Sequence, residues 1–334
     1  MMRARAPVRV DFAGGWTDVA EFASESPGAV VNAAISIYSY ASIRRSRPDD
    51  ERGIRIYSAD FNTFVEAADI RRLEYDGNAD LVKAAIRHLE VDDSFFITTR
   101  SDAPPGSGLG TSAGMGVALI GALSHLVERP FLPSEAAEMA SEIEREELGI
   151  RGGKQDQYAS AIGGFQFMEF HGESVRTAPL RLAPCTVFDL QKHLVLCYTG
   201  QSRLSGDIHE RVADAFRKGD PDTTAAIANL KNIARSMKER LLLGDLEAFA
   251  TLLSENWDNQ KRLHASVANE QIDGLFAIAS ESGAAGGKAC GAGGGGCLVF
   301  VAKPDHEHIL RQALQDAGVR ILDFVFDLGG LQVV

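Results

Sequence analysis

Hydrophobic and polar residues alternate along the chain with a period of two in some segments and of about 3.6 in others. Segments rich in β-branched and aromatic residues with the shorter period predict strands at 36–45, 53–60, 94–100, 163–170, 192–200, 297–303 and 320–327. The longer period predicts helices at 112–128, 134–148, 207–218, 223–243, 245–257, 270–282 and 305–317. Because these elements do not follow the regular spacing of a doubly wound sheet, we expect an α+β fold.

The length of the chain favours two domains. It has 334 residues, whereas one domain usually has about 100 to 200 residues. The proline-flanked segment "RLAPCTVFDLQ" (181–191) is the candidate junction between the halves. We therefore expect an N-terminal domain over 1–185 and a C-terminal domain over 186–334.

Composition excludes some classes of function. The net charge of −12 argues against a protein that binds nucleic acid or a membrane surface, because both favour basic patches. No apolar run reaches the length of about 18 residues that a membrane-spanning helix needs. The four cysteines form no CxxC pair, so a zinc site is not expected. A cytoplasmic protein with reduced thiols is the expectation, and the sequence leaves a homodimer open.

The segment "PPGSGLGTSA" (104–113) lies between a predicted strand and a predicted helix. Its glycines let backbone N–H groups approach an anion, and the helix N-terminus favours negative charge. Thr111 and Ser112 add hydroxyls that a magnesium ion beside a phosphate could use. A plain turn in which Thr111 or Ser112 caps the helix is equally consistent with this segment. The Walker A pattern is absent, because no lysine follows Gly110.

A second glycine-rich segment, "GAAGGKACGAGGGG" (283–296), contains the string GxGxxG. It leads into a predicted strand rather than a helix, so the context of a dinucleotide-binding motif is missing. By itself, the string "GAGGGG" (291–296) indicates a tight turn between packed elements.

Two carboxylates stand out in the middle of the chain. In the helix predicted at 134–148, Glu144 interrupts an apolar stripe that contains Ala137 and Ala140. A buried carboxylate needs a partner such as a metal ion or a basic group, and a boundary glutamate paired with an arginine is the alternative. Asp156 follows a glycine turn near the start of the next helix. There it is either a partner of the helix dipole or a general base.

The N-terminal segment "PVRVDFAGGWTD" (7–18) begins as a strand and ends in a loop. Arg9 is a charge among apolar neighbours in that strand, so we expect it to be paired. The loop presents Trp16, Thr17 and Asp18, an aromatic and short polar residues typical of a sugar site. An exposed turn without a ligand is an equally plain interpretation.

The order and spacing of these three segments resemble the three motifs of the GHMP kinases, over residues 7–296. The segment "EIEREELGIRGGKQDQYASAIGGFQFMEF" (142–170), together with "FAGGWTD", is most similar to the D-glycero-D-manno-heptose 7-phosphate kinases. The resemblance implies an N-terminal domain like ribosomal protein S5 domain 2 and a ferredoxin-like C-terminal domain, with the site in the cleft between them. It also implies ATP with Mg²⁺ and a small sugar or sugar phosphate as partners.

The resemblance assigns roles by motif position. Asp156 aligns with the catalytic aspartate, Arg9 with the arginine that orients it, and Ser112 and Glu144 with the magnesium ligands. The residues that would surround the ATP phosphates are Pro105, Gly106, Ser107, Gly108, Leu109, Gly110, Thr111 and Ser112. The residues that would contact the sugar are Gly15, Trp16, Thr17, Asp18, Gly291, Ala292 and Gly293.

The implied reaction is transfer of the γ-phosphate to the anomeric hydroxyl of heptose 7-phosphate. Alternatives are a 1-kinase for fucose, a uronic acid or another aldose, and a non-catalytic sensor of ATP and sugar. Galactokinases have Glu-His in place of Gly15-Trp16, which argues against galactose, and Cys290 replaces the usual Thr or Ser of the third motif. Basic candidates for holding a 7-phosphate are Arg44, Arg45, Lys154 and Lys288.

Overall fold

The structure, a computed structural model, describes residues 1–24, 26–47, 52–201 and 205–334, without the side chains of 205–207. The strands of the described chain are β1 (Met2–Ala13), β2 (Gly28–Arg45), β3 (Ile54–Ser58), β4 (Thr63–Ala67), β5 (Phe95–Ser101), β6 (Phe165–His171), β7 (Ser174–Pro179), β8 (Leu194–Tyr198), β9 (Ala284–Ala289), β10 (Cys297–Ala302), β11 (Arg320–Ile321) and β12 (Gln332–Val333).

The helices of the described chain are α1 (Asp80–His88), α2 (Thr111–Leu126), α3 (Pro133–Glu142), α4 (Gln155–Ile162), α5 (Pro184–His193), α6 (Ser205–Arg217), α7 (Pro221–Leu243), α8 (Leu246–Leu263), α9 (Glu270–Glu281) and α10 (Glu307–Asp316). A π-helical turn, Ile143–Glu147, continues α3. Short 3₁₀ turns lie at Ile70–Arg72 and Ala265–Val267. The mixture of sheets and helices confirms the α+β expectation.

The strands form two sheets. The larger has the order β12-β1-β2-β5-β3-β4, with β6 paired to β2 and β7 paired to β6, and the smaller has the order β11-β8-β10-β9. One edge of the long strand β2 pairs with β1, and its other edge is shared between β6 at 28–33 and β5 at 39–45. The first part of β2 is buried on both faces, while its second part alternates between buried and half-buried residues. Other elements therefore cover both faces of the sheet only near β6.

Helix α2 packs across the larger sheet and is buried on nearly all sides, as expected for a helix that is apolar all round. Met115, Leu119, Leu123 and Leu126 are buried, as its sequence predicted. A Cβ on Gly116 would lie 3.3 Å from the Cβ of Ala140 in α3. Small residues thus let α2 and α3 approach closely, which brings the start of α2 near the end of α3.

The two sheets share one of the hydrophobic cores. Val8, Val10 and Phe12 of β1 pack with residues of α7, α8 and the smaller sheet. The rings of Phe12 and Phe249 meet edge to face, with centroids 5.2 Å apart. The strand that carries Arg9 therefore belongs to the larger sheet and packs through this core against α7, α8 and the smaller sheet.

Some sequence predictions differ from the structure. The candidate junction 181–191 overlaps helix α5, and the expected boundary after residue 185 falls inside that helix, so the division into two domains stays a prediction. The predicted strand 320–327 is regular only at Arg320–Ile321, because the chain then leaves the smaller sheet. It returns to the larger one, where Phe326 bridges Ile35 and β12 pairs with β1. Helices α1 and α5 and strands β4, β7, β9 and β12 were not predicted. No helix among the described residues has the length and apolar character needed to cross a membrane.

Candidate active site

Arg9 and Asp156 form the central ion pair of the site. Nε and Nη2 of Arg9 each donate to one carboxylate oxygen of Asp156 at 2.7 Å, and Nη1 donates to the carbonyl of Gly108 at 2.7 Å. The side chain of Arg9 is 4% exposed and that of Asp156 is 25% exposed. The structure therefore brings together the paired charge expected in the first strand and the carboxylate at the start of α4.

Burial shifts the proton affinity of this pair. It raises the pKa of Asp156 above its usual range, while the charge and hydrogen bonds of Arg9 oppose that rise. Burial disfavours the charged form of Arg9, but the carboxylates of Asp156 and Asp11 outweigh it and raise the pKa of the guanidinium. Arg9 thus stays charged, and Asp156 is more basic than an exposed aspartate.

The glycine-rich loop at 104–112 lies directly against this pair. Gly106, Gly108 and Gly110 all have positive φ angles, of 67°, 74° and 75°. A Cβ on Gly110 would lie 2.9 Å from Oδ2 of Asp156. A side chain there would combine backbone strain with a clash at the carboxylate, so glycine is required.

The start of α2 has no side-chain cap. Gly110 is the N-cap residue and makes no side-chain hydrogen bond, so the alternative in which Thr111 or Ser112 caps the helix is wrong. The Thr111 hydroxyl instead shares a hydrogen bond of 3.1 Å with that of Ser107. The N–H groups of the first turn of a helix have no acceptor within the helix, and its dipole favours an anion there. Pro105, Gly106 and Ser112 are exposed, whereas Ser107 and Leu109 are buried and fix the loop.

Glu144 is buried, as its place in an apolar stripe predicted, with 6% of its surface exposed. Its carboxylate accepts a short hydrogen bond from the Ser112 hydroxyl and another, of 2.5 Å, from Nε2 of Gln157. Both partners are neutral, so Glu144 is not the boundary glutamate paired with an arginine that the sequence offered as an alternative. Burial raises the pKa of Glu144, and the two hydrogen bonds oppose that rise. The residue lies in the π-helical turn after α3, a feature frequent at functional sites.

The oxygen atoms of Ser112 and Glu144 fit a magnesium ion. Mg²⁺ prefers oxygen ligands and is usually held by one or two carboxylates together with substrate phosphates. The exposed Ser112 hydroxyl and the buried Glu144 carboxylate meet where the glycine-rich loop joins α2. No group of three or more acidic, histidine or cysteine residues in the described chain could hold a metal by itself. A Mg²⁺ ion here would take its remaining ligands from water or a bound phosphate.

The first motif is buried rather than an exposed turn. Trp16 is 4% exposed, and its ring lies 4.4 Å from that of His209 in α6. The Thr17 hydroxyl donates to the carbonyl of Gly14 at 2.7 Å and accepts from the N–H of Ala29 at 3.0 Å. Thr17 therefore holds the turn together. Gly15 and Asp18 complete the turn.

Asp18 faces the start of α4. The backbone N–H of Gln155 donates to its Oδ2 at 3.2 Å, and Nε2 of Gln155 donates to its Oδ1 at 3.4 Å. A Cβ on Gly153 would lie only 1.8 Å from that Oδ2. The residue before the catalytic candidate Asp156 thus ties the first motif to α4.

The third motif closes the site from the smaller sheet. The N–H of Gly291 donates to Oδ1 of Asp11 at 3.1 Å, and Nε2 of Gln260 donates to the carbonyl of Gly291 at 2.8 Å. A Cβ on Gly291 would lie 2.9 Å from the carbonyl oxygen of Gly108. The predicted turn between packed elements is confirmed, and it joins β9 to β10. Ala292 and Gly293 follow within this turn.

Comparison with known proteins decides the family. The family model "GHMP kinases N terminal domain" matches residues 80–164, and the model "GHMP kinases C terminal" matches residues 226–320. A D-glycero-alpha-D-manno-heptose 7-phosphate kinase of Campylobacter jejuni is 34% identical, over 99% of this chain and 98% of the relative. The chain belongs to the GHMP kinase family.

Other relatives and solved structures agree with this family. A D-glycero-D-manno-heptose 1-phosphate kinase from Bacteriodes thetaiotaomicron superposes on this GHMP kinase with a TM-score of 0.82 and 32% identity, covering 100% of this chain and 99% of that one. A bifunctional fucokinase/GDP-fucose pyrophosphorylase of Arabidopsis thaliana is 29% identical over 94% of this chain, which spans 31% of that longer protein. The galactokinase of Lactococcus lactis shares the fold, with a TM-score of 0.79 at 17% identity, covering 99% and 94% of the two chains.

Asp11 is a site residue of this GHMP kinase that the sequence analysis missed. It is 1% exposed, and Nζ of the fully buried Lys288 donates to its Oδ2 at 2.5 Å and to its carbonyl at 2.8 Å. A Cβ on Gly15 would lie 2.7 Å from the same Oδ2. The signal available in the sequence was a second charge, two residues after Arg9, in an apolar strand.

Asp18 gives this GHMP kinase a specific dependence of stability on pH. Burial first, and then the nearby charge of Asp156, raise the pKa of Asp18 from 3.8 to about 6. Between these pH values the native state binds more protons at Asp18 than the unfolded state does. The contribution of Asp18 to the unfolding free energy therefore falls as the pH rises. The unfolding free energy of Asp18→Asn minus that of the wild type should therefore increase by about 2 kcal/mol when the pH is raised from 4.5 to 7.5. Urea denaturation of both proteins at the two pH values measures the difference. If the unfolding free energies of the variant and the wild type differed by the same amount at both pH values, the raised pKa of Asp18 would be contradicted.

Proposed function

We propose that this kinase transfers the γ-phosphate of ATP to the anomeric hydroxyl of D-glycero-D-manno-heptose 7-phosphate and forms the 1,7-bisphosphate. The observation that carries the proposal is the position of the Asp156 carboxylate, held by Arg9 and in contact range of Gly110 at the start of α2. A proton acceptor, the Asp156 carboxylate, thus lies next to the N-terminus of α2, where an anion can bind. The full-length likeness to the heptose 7-phosphate kinase of Campylobacter jejuni supports the choice of sugar.

In the proposed mechanism, Asp156 takes the proton of the anomeric hydroxyl as that oxygen attacks the γ-phosphorus. The new bond forms in line with the bond to the β-phosphate oxygen, which breaks and leaves with ADP. Arg9 fixes both oxygens of Asp156, so the carboxylate is positioned before the sugar binds. The N–H groups of the loop and of the first turn of α2 stabilise the phosphate charge. Asp18 is proposed to bind a sugar hydroxyl beside the reacting one.

Ser112 and Glu144 would hold Mg²⁺ beside the β- and γ-phosphates. The ion supplies neutralisation of the charge on the transferred phosphoryl group. Burial of Glu144 against neutral partners supports this role, since no basic group in the described contacts of its carboxylate compensates its charge. The glycine-rich loop lacks the lysine of a Walker A motif, so a metal ion held by Ser112 and Glu144 would supply the positive charge at the phosphates.

A change at Glu144 tests the magnesium role. We expect Glu144→Gln, which keeps the size of the side chain, to raise the Mg²⁺ concentration for half-maximal activity by about 10-fold or more, because a charged ligand is lost. Titration of MgCl₂ at fixed ATP, with coupled detection of ADP, measures the change. Glu142→Gln is the matched control, since Glu142 lies at the half-exposed end of α3. Superimposable titrations of Glu144→Gln and wild type would remove Glu144 from the metal site.

A substrate panel tests the acceptor. Heptose 7-phosphate, the free heptose, fucose, a uronic acid and mannose are compared by ADP release, and phosphorus NMR locates the new phosphate. The proposal expects the highest kcat/KM for the heptose 7-phosphate and a product phosphorylated at C1. Preference for an unphosphorylated aldose would assign a different 1-kinase. Binding of ATP and sugar without ADP formation would indicate a sensor.

A further inference from the structure

A pocket of about 300 Å³ lies beside the first motif and outside the residues assigned above. Its lining comes from the turn after Asp18, the loop at 149–152 and helix α6, and includes Arg145, Arg151 and Arg217. We propose that this pocket binds the distal phosphate of a sugar phosphate acceptor, with Arg151 and Arg217 as its main contacts. This inference rests on the proposed function and assigns that reaction a specificity site.

The pocket adjoins the residues proposed to hold the sugar. Val19, the first lining residue, directly follows Asp18, and Gly152 directly precedes Gly153, which lies against the Asp18 carboxylate. His209 also lines the pocket, and its ring packs on the buried ring of Trp16. A sugar with its anomeric end at Asp156 and a hydroxyl at Asp18 would therefore direct its other end toward this pocket.

The pocket contains three arginines, whereas the residues proposed to contact the sugar include the carboxylates of Asp18 and Asp156. Besides burial, the charge of Asp156 contributes to the raised pKa values of Asp18 and Glu144, so the phosphate of a sugar is better placed at the arginines than beside Asp18. The pocket has three arginines and two carboxylates, Glu21 and Glu146. Arginine presents several donors in a planar group that matches a phosphate.

Two of the arginines are about half exposed, and their present partners are partly exposed carboxylates. The side chains of Arg151 and Arg217 are 55% and 48% exposed. Arg151 lies 3.8 Å from Glu210, and Arg217 pairs with Glu21 at 3.3 Å and with Asp214. Exposed pairs of this kind stabilise a protein little, so exchange of a carboxylate for a phosphate is inexpensive. Arg145 differs, because Glu173 holds it with two bonds of 2.7 Å.

The basic residues suggested by sequence are placed elsewhere. Lys288 is fully buried on Asp11, and Lys154 is buried between Glu138 and Glu173. Arg44 and Arg45 end β2, where Nη2 of Arg45 donates to the carbonyl of Leu126, the last residue of α2. At about 1.5 Å per residue, that end of the 16-residue helix is roughly 20 Å from the glycine-rich loop. Arg151 and Arg217 are thus better placed to bind the distal phosphate than the four basic residues suggested by the sequence.

The test compares two acceptors in the full-length enzyme. The ratio of kcat/KM for heptose 7-phosphate to kcat/KM for the free heptose is measured for the wild type and for Arg151→Ala/Arg217→Ala. We expect the ratio to fall by about 10- to 100-fold in the variant, through a higher KM for the phosphorylated sugar, since each contact to a charged group is substantial. The kcat and KM for the free heptose should stay within a few-fold of the wild type. Arg151→Lys/Arg217→Lys should recover part of the ratio.

The controls separate this inference from the proposed function. Arg211→Ala removes an exposed arginine of α6 that does not line the pocket, and it should leave the ratio unchanged. A wild type that prefers the phosphorylated sugar, with the same preference in the double variant, would overturn the inference and leave the proposed function intact. A wild type without any preference for the phosphorylated sugar would overturn both. Equal losses for both sugars would indicate a structural role and would also overturn the inference.

Discussion

Asp156→Asn is expected to lower kcat by a factor of about 10² or more, because an amide cannot accept the proton of the attacking hydroxyl. The substitution keeps the shape of the side chain that Arg9 and Gly110 contact. Turnover is measured by coupled detection of ADP at saturating ATP and sugar. The raised pKa of Asp156 also predicts that the wild-type rate falls on the acid side at a higher pH than an ordinary aspartate would give. That acid limb should be absent from the residual activity of the variant.

Loss of activity must be separated from loss of structure at this position. Asp156→Asn leaves Arg9 with the more distant carboxylate of Asp11, 4.0 Å away, so the thermal unfolding of the variant is recorded beside its kinetics. Asp323→Asn is the control for an exposed aspartate paired with an arginine, and it should retain wild-type turnover. A folded Asp156→Asn protein with turnover within a few-fold of the wild type would exclude Asp156 as the base.

Lys288→Met is expected to cost about 3–5 kcal/mol of unfolding free energy, because it leaves a buried charge without its partner. Lys288 is fully buried, and its ammonium group is bound to both the side chain and the backbone of Asp11. After the substitution, Asp11 keeps the N–H of Gly291 and a more distant guanidinium, 4.0 Å away, of Arg9. Urea denaturation at pH 7 measures the loss.

A second substitution shows whether the loss of stability comes from the unpaired Asp11 carboxylate or from poor packing of the new methionine. Asp11→Asn/Lys288→Met removes the uncompensated carboxylate, so it should be more stable than Lys288→Met alone. Lys303→Met changes an exposed lysine and should alter stability little. A loss of less than about 1 kcal/mol in Lys288→Met would show that the pair contributes little.

Much of the architecture follows from local pattern. Helix α2 begins and ends within two residues of its predicted bounds, and most of the predicted strands are present. The errors lie where tertiary contacts overrode the pattern. The alternation at 320–327 does predict extended backbone, but only its first two residues pair in the smaller sheet, because the rest crosses to the larger one. The segment 181–191 was predicted only as the junction between domains, which stays a prediction; it overlaps helix α5, with Pro184 at the first position, where proline is well tolerated.

The sequence by itself determined that Arg9 and Glu144 needed partners, since each is a charge in an apolar setting, and that the glycine-rich loop opens a helix. The resemblance to the GHMP kinases implied Asp156 as the partner of Arg9, but the residue pattern itself did not, and only the tertiary structure showed these contacts. Arg9 meets a carboxylate 147 positions away, and Asp11 meets a lysine 277 positions away. Periodicity reports the burial of a residue and its place in a helix or strand, which are local properties. Which distant residue lies opposite depends on how β1, within the larger sheet, packs against the helices and the smaller sheet, and no local pattern contains that information.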